Sequence, residues 1–280
     1  MKTLLGVASL TALAGVPAVL LLAPQAGEVR TAERRPLSAR VEVLRGARGN
    51  VVWFHGETGA VLIEPSPAPL EPEAARALRE QERVPLRYRI LLGPPDPNAG
   101  DVGRAAGDAV QTVAHKLVHE AMQRKARGAD LAFEGTLYLH LDGEKVSVQH
   151  KGVARTEADT FAYLHQEQVL VVGDLVQSGV HPAAPPGGGA VRQWLRVLKE
   201  LRKDFKGNEA LKVVPSVGAP GGLELLQEQI DYLQDLIDVV DEGHRRGLDL
   251  QETLDSAGAF RTKHRRTGDP RALIESAYRL

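Results

Sequence analysis

The chain has 280 residues, 43% of them hydrophobic and 25% charged, with 35 basic side chains against 36 acidic ones. That composition suits one large globular domain, and a net charge of −1 gives no electrostatic case for nucleic acid or an acidic surface as a partner. The absence of cysteine excludes disulfides, a cysteine nucleophile, thiolate metal sites and a lipid-modified N-terminal cysteine.

After Lys2 no charged residue occurs until Glu28, and the stretch between is rich in Leu and Ala, interrupted by Gly6, Gly15 and Pro17. A short positive start, an apolar run and small residues near Ala23 and Ala26 predict a secretory signal peptide over residues 1–27. The rival reading is an uncleaved membrane anchor, since the run approaches the ~20 residues needed to span a bilayer. Both readings predict an exported chain, periplasmic or secreted. Residues 28–38, with Pro36, read as a polar linker, and residues 39–280 as the folded domain, C-terminal helices included.

Val41 to Leu44, Asn50 to His55 and Ala60 to Glu64 read as short strands, the last two joined by a Glu-Thr-Gly turn. Leu70 to Glu82 reads as a helix, with Leu70, Ala74, Ala77 and Leu78 on one face. A strand over Leu86 to Leu92 leads into the loop GPPDPNAGDVGRAAG, followed by a strand over Val110 to Ala114 and a helix over His115 to Ala126. The second half repeats the order. Thr136 to Leu141 and Lys145 to Val148 form a hairpin around Asp142-Gly143-Glu144, and Asp159 to Leu164 pairs with Val169 to Val172. The run Val169-Leu170-Val171-Val172 is apolar on both faces and so reads as a central strand. A helix over Ala190 to Lys203 and a strand over Leu211 to Val214 complete the repeat.

Leu223, Leu226, Ile230, Leu233, Ile237 and Val240 recur three and four apart, the stripe of a long amphipathic helix packed on the body of the fold or, alternatively, against a partner. In the tail, RTKHRR (Arg261 to Arg266) reads as a solvated basic turn, with an anionic-lipid contact as the sharper reading.

Several of these segments, in this order, resemble the metallo-β-lactamase fold family, from about Ala39 to Leu280. VVWFHGETGAVLIEPSPAP (Val51 to Pro69) is similar to the family's opening hairpin and Asp-Thr-Gly turn, with Glu64 in the Asp position. PLRYRILLG (Pro85 to Gly93) resembles the strand before the metal motif, and VQTVAHKLVHEAM (Val110 to Met122) the next strand and its Ala-His helix start. VARTEADTFAYLHQEQVLVVGDLV (Val153 to Val176) resembles the second metal loop, a hairpin and the Gly-Asp turn, and Trp194 and KVVPSVG (Lys212 to Gly218) close the series. The resemblance implies an α/β fold: a four-layer αββα sandwich of two mixed β-sheets packed face to face, with helices outside.

It also implies a zinc hydrolase of esters, amides or thioesters, in which the metal lowers the pKa of bound water to about 7 and polarises a carbonyl. The ligands are where this chain departs. The four positions of the family's His-x-His-x-Asp-His motif fall on Pro94, Asp96, Asn98 and Ala99, the next histidine on Arg155 and the last on Val217. Only the metal-bridging aspartate is kept, as Asp174. Proline, alanine and valine side chains cannot ligate, and arginine does not release its proton. No histidine occurs between Ile90 and Gln111, so the loss does not depend on register.

The sequence therefore predicts no zinc or other cofactor, and a non-catalytic binding or scaffolding protein whose ligand is a small molecule or a protein. The alternative is a hydrolase using a non-standard metal or a carboxylate, with Asp96 and Asp174 as catalytic candidates. The expected cleft comprises Glu64, Asp96, Asn98, Arg155 and Asp174. Arg155 is expected either to pair with Asp174, replacing the charge of the lost metals, or to turn to solvent or to Glu157 or Asp159 on its own loop. Asp96, Asn98 and Asp101 also offer oxygens to a hard cation, though the spacing departs from known calcium loops and suits an ordinary turn. His115 and His119, four apart, read as surface histidines of a helix, with a metal pair as the sharper alternative. His140, His150, His165 and His181 read as structural.

Overall fold

The computed structural model describes residues 33–46, 49–65, 84–94, 109–124, 128–185 and 191–279. The N-terminal leader, the helix expected over Leu70 to Glu82 and most of the loop after Gly93 lie outside the described residues. Among those that are described, no helix is long and apolar enough to cross a membrane.

Two mixed sheets form the centre. The first has the order β1 (Glu33–Pro36), β2 (Val41–Gly46), β3 (Gly49–His55), β4 (Ala60–Glu64), β5 (Leu86–Leu91), β6 (Gln111–His115) and β7 (Leu131–Phe133). Its first four strands are antiparallel and its last four run parallel. The second has the order β12 (Lys212–Val217), β11 (Val169–Gln177), β10 (Phe161–Leu164), β9 (Glu144–Gln149) and β8 (Thr136–Leu141), antiparallel except for the β11–β12 pair.

Alternation along these strands decides what each face meets. Val61, Ile63, Ile90 and Val113 of the first sheet meet Val146, Val148, Val169 and Val171 of the second in a core between the sheets. Leu170 and Val172 point the other way, into a layer made by α2 (Val191–Asp204) and α3 (Glu224–Arg245). On the outer face of the first sheet, Leu91 and Ala114 pack under Val118 of α1 (Lys116–Gln123). Helix, sheet, sheet, helix is the expected four-layer sandwich. Val169 to Val172 are all fully buried, as a central strand covered on both sides requires.

Three departures from the sequence reading have physical causes. Part of the expected linker, Glu33–Pro36, is the edge strand β1, held to β2 by its ladder and by an Arg34–Glu42 ion pair at 2.7 Å. A proline at its end is tolerated because an edge has no further partner. The second concerns the C-terminal helices, whose bounds the sequence leaves open beyond the long amphipathic stripe: α4 (Leu250–Ser256), α5 (Gly258–Lys263) and α6 (Arg271–Tyr278). Leu254, Phe260, Leu273 and Ile274 share one core with α3, so α3 buries Leu225, Tyr232 and Leu236 beyond the predicted stripe. Asp249 starts α4 with a reciprocal capping box to Glu252.

The third departure is the basic turn. Arg266 is not solvated: its Nη1 donates to the carbonyls of Gln177 (3.0 Å) and Val180 (3.4 Å), and its guanidinium lies 4.3 Å from the Tyr232 ring centroid. Lys263 and His264 both reach Asp235. The turn stitches the tail to the segment that follows β11.

Candidate functional site

The residues that follow β4 and β5, Pro65 and Leu92, approach β11 closely at Gly173. Its φ is +58°, a backbone conformation side chains disfavour. A Cβ there would also stand 3.1 Å from the Pro65 carbonyl oxygen and 3.4 Å from the Leu92 side chain. The β11–β12 register shifts on either side of it, which turns the following residue, Asp174, out of the regular ladder.

The loop over residues 150–160 forms the facing wall. Thr160 fastens it to the end of β5, its backbone N–H and its hydroxyl both donating to the Leu92 carbonyl at 3.0 and 3.1 Å. Inside the loop, the Thr156 N–H donates to the Asp159 carboxylate and the Ala158 N–H to the Thr156 hydroxyl (3.2 Å). Ala158 is buried against Leu91 and Ala114. This self-bonded loop directs Arg155 at Asp174: Nη2 donates to Oδ2 at 2.8 Å, and the two side chains are 13% and 14% exposed. Glu157 faces solvent, so of the partners open to Arg155 the structure selects Asp174.

Asp159 lies behind the pair, 5% exposed. Burial pushes its carboxyl up to about 6, against the opposing pull of the Thr156 hydrogen bonds and the Arg155 charge. At the loop's start, His150 Nδ1 lies 3.0 Å from the Asp159 carbonyl, and its ring stacks on His115 with centroids 4.3 Å apart.

Comparison with known proteins bears on this arrangement. No family model and no curated protein matches the sequence. Solved structures do. A metallo-β-lactamase from Pontibacter korlensis is 20% identical over 72% of this chain and 99% of its own, with a TM-score of 0.63. The DIM-1 metallo-β-lactamase is 16% identical over 75% of this chain and 99% of its own, with a TM-score of 0.62. A stereoselective inverting sec-alkylsulfatase from a Pseudomonas species gives a TM-score of 0.70 at 15% identity, over 89% of this chain; the match spans 50% of the sulfatase. This chain has the metallo-β-lactamase fold. At these identities the likeness speaks for the fold and leaves the site to be read from its own residues.

Among the described residues, those expected at the ligand positions do not suit zinc. Asp174 is engaged by a guanidinium at 2.8 Å, so a cation on the same carboxylate would face a fixed positive charge. Val217, at the end of β12, has no donor in its side chain, and neither has Pro94, three residues beyond β5. Among the described residues no three His, Asp or Glu side chains are grouped to hold a metal ion.

The other predicted residues are dispersed. Asp96, Asn98 and Asp101 lie outside the described residues, as does Ala99. Glu64 is 2% exposed and its Oε2 accepts from Arg89 Nη2 at 2.8 Å. By strand alternation it stands on the side of Leu62, away from the core between the sheets. The structure thus brings Arg155 and Asp174 together and commits Glu64 to Arg89.

His115 corrects the surface reading: it is 3% exposed, ends β6 and caps α1 by accepting the Leu117 N–H at 3.4 Å. His119 is held by the Ala129 carbonyl at 3.0 Å, not paired with His115 on a ligand. His165 contacts the Ser147 hydroxyl and His181 the Tyr232 hydroxyl, at 3.0 and 2.8 Å. The sequence offers Asp159 only as a possible partner of Arg155 and shows neither its burial nor the His115–His150 stack. Nothing in Thr156-Glu157-Ala158-Asp159 separates a buried carboxylate from an ordinary turn.

Proposed function

We propose that this chain is an exported, non-catalytic relative of the zinc hydrolases, whose cleft binds a small molecule or a protein segment. The observation that carries this is the Arg155–Asp174 ion pair, which supplies one fixed positive charge where the fold's hydrolases rely on metal. A guanidinium cannot stand in for zinc in catalysis. It holds no water as a ligand, so it cannot generate a hydroxide at neutral pH, and it has no open coordination position for a carbonyl. The apolar run after Lys2 supports export, and the balanced charge speaks against nucleic acid as the partner.

The rival is a hydrolase with a carboxylate base. Its described candidate is Asp174, one of whose carboxylate oxygens is already held by Arg155. Assay of the purified domain against chromogenic β-lactam, thioester and sulfate-ester substrates, with and without added zinc, tests the reading. The expected result is no turnover above background. Zinc-dependent turnover that disappears in Asp174→Ala would overturn it.

A further inference from the structure

The loop that presents Arg155 is tied to the first sheet through two aromatic rings that can take up protons. His115 lies at the C-terminal end of β6, and the geometry assigns its neutral form. Its Nδ1 accepts the Leu117 N–H at 3.4 Å, leaving Nε2 to donate to the Glu134 carbonyl at 3.1 Å. His150 opens the loop over residues 150–160, stacked on His115 at 4.3 Å with 28° between the ring planes. Its backbone N–H donates to the Gly135 carbonyl at 2.8 Å, and its Nδ1 faces the Asp159 carbonyl at 3.0 Å. Phe133 closes the other side of His115, edge to face at 5.8 Å.

We propose that the stacked His115–His150 pair is a proton-sensitive latch that holds the Arg155 loop in place at neutral pH and releases it in acid. The loop is the wall of the proposed binding cleft, so the proposal is a regulation of that cleft and rests on that reading.

A proton on His115 Nδ1 would set an N–H against the Leu117 N–H that it now caps. It would also place a positive charge at the N-terminus of α1, where the helix dipole is unfavourable to cations. The charged groups around the pair divide. Lys116 and a protonated His150 oppose a proton on His115, and Glu134 favours one but is itself paired with Lys116 at 2.6 Å. Lys151 lies next to His150 in the chain, and Asp159 meets His150 through its carbonyl while its carboxylate is buried inside the loop.

Burial first, then the charge of His150, holds the His115 imidazole below its ordinary range. A base depressed in this way stabilises the fold while it stays neutral, and that contribution is lost as pH falls through its folded value, below 6.5. Asp159 titrates in the opposite sense, so its protonation cannot produce the release.

Hydrogen exchange by mass spectrometry, corrected for the intrinsic effect of pH, reads the latch directly in the full chain. Protection of residues 150–160 should persist at neutral pH and be lost in acid while the β9–β11 strands stay protected. His115→Asn keeps a capping oxygen but cannot take a proton, so the loss of loop protection in acid should disappear. His150→Phe keeps a stacked ring and removes the opposing charge, so release should move to higher pH. The His150→Phe shift is informative even where His115→Asn fails to fold. Loop protection that survives until the strands unfold, or a wild-type acid step retained in His115→Asn, would overturn the latch. So would an unmoved midpoint in His150→Phe. None of these outcomes depends on whether the cleft turns over a substrate.

Discussion

Replacing Arg155 with alanine should destabilise the fold by ~3–5 kcal/mol, the cost of leaving one member of a buried pair uncompensated. Both side chains are about as buried as each other, at 13% and 14% exposure, so solvent screens the pair little. Asp174 is the group left behind. It lies within the buried strand β11, and no other described side chain is bonded to it. Removing both charges together is expected to recover most of the loss, because the desolvation cost of the carboxylate goes with its partner. Urea denaturation of Arg155→Ala, Asp174→Ala and the double variant measures this. Losses that simply add, each below about 1 kcal/mol, would mean the pair behaves as an exposed surface bridge.

Asp159→Asn should do the opposite and raise stability above pH 6. The carboxyl stands at about 6 in the fold against its ordinary 3.8, because burial penalises the charge more than Thr156 and Arg155 relieve it. A raised carboxyl favours the fold while protonated. The stability present at pH below its unfolded value is therefore lost as pH rises through the folded one. At 1.36 kcal/mol per pH unit, the gap corresponds to roughly 3 kcal/mol, fully felt above pH 7 and absent near pH 4. Asparagine keeps an oxygen for the Thr156 N–H and carries no charge. Denaturation midpoints measured from pH 4 to pH 8 should converge in acid and diverge in favour of the variant at neutral pH. A variant that is less stable throughout would show that the charge itself holds the loop.

Most of the architecture could be read before the coordinates because it rests on periodicity. Val169 to Val172, apolar at every position, can only be satisfied between two layers. The α3 stripe at Leu226, Ile230, Leu233 and Ile237 needs a surface to lie on. The parts that escaped lack such a pattern. β7 is only Leu131-Ala132-Phe133, too short to show alternation, and β1 is Glu-Arg-Arg-Pro, a composition that strands usually avoid. The bounds of the tail helices escaped because their cover is shared: Phe260 and Ile274 make sense only once Tyr232 and Leu236 of α3 are known to face them.

The site divides in the same way. The Arg155–Asp174 pair was legible because the family resemblance sets the two residues side by side, and the structure joins them at 2.8 Å. Asp159 and the histidine stack depend on how a loop folds back on itself. His150 meets His115 only because Gly135 and Thr160 anchor the loop at its two ends, and those hydrogen bonds leave no mark on composition. Arg266 belongs with them. Read as one of a run of basic residues it looks solvated, yet it serves the carbonyls at the end of β11.

The central claim is that a fixed guanidinium has taken over the position that metal occupies in the hydrolases of this fold. Elemental analysis of the purified domain, after exposure to excess zinc and removal of the unbound ion, tests it most directly. The account predicts zinc, manganese and iron far below one equivalent per chain, unchanged in Asp174→Ala. One or more equivalents of a transition metal, lost on substitution of Asp174, would contradict it.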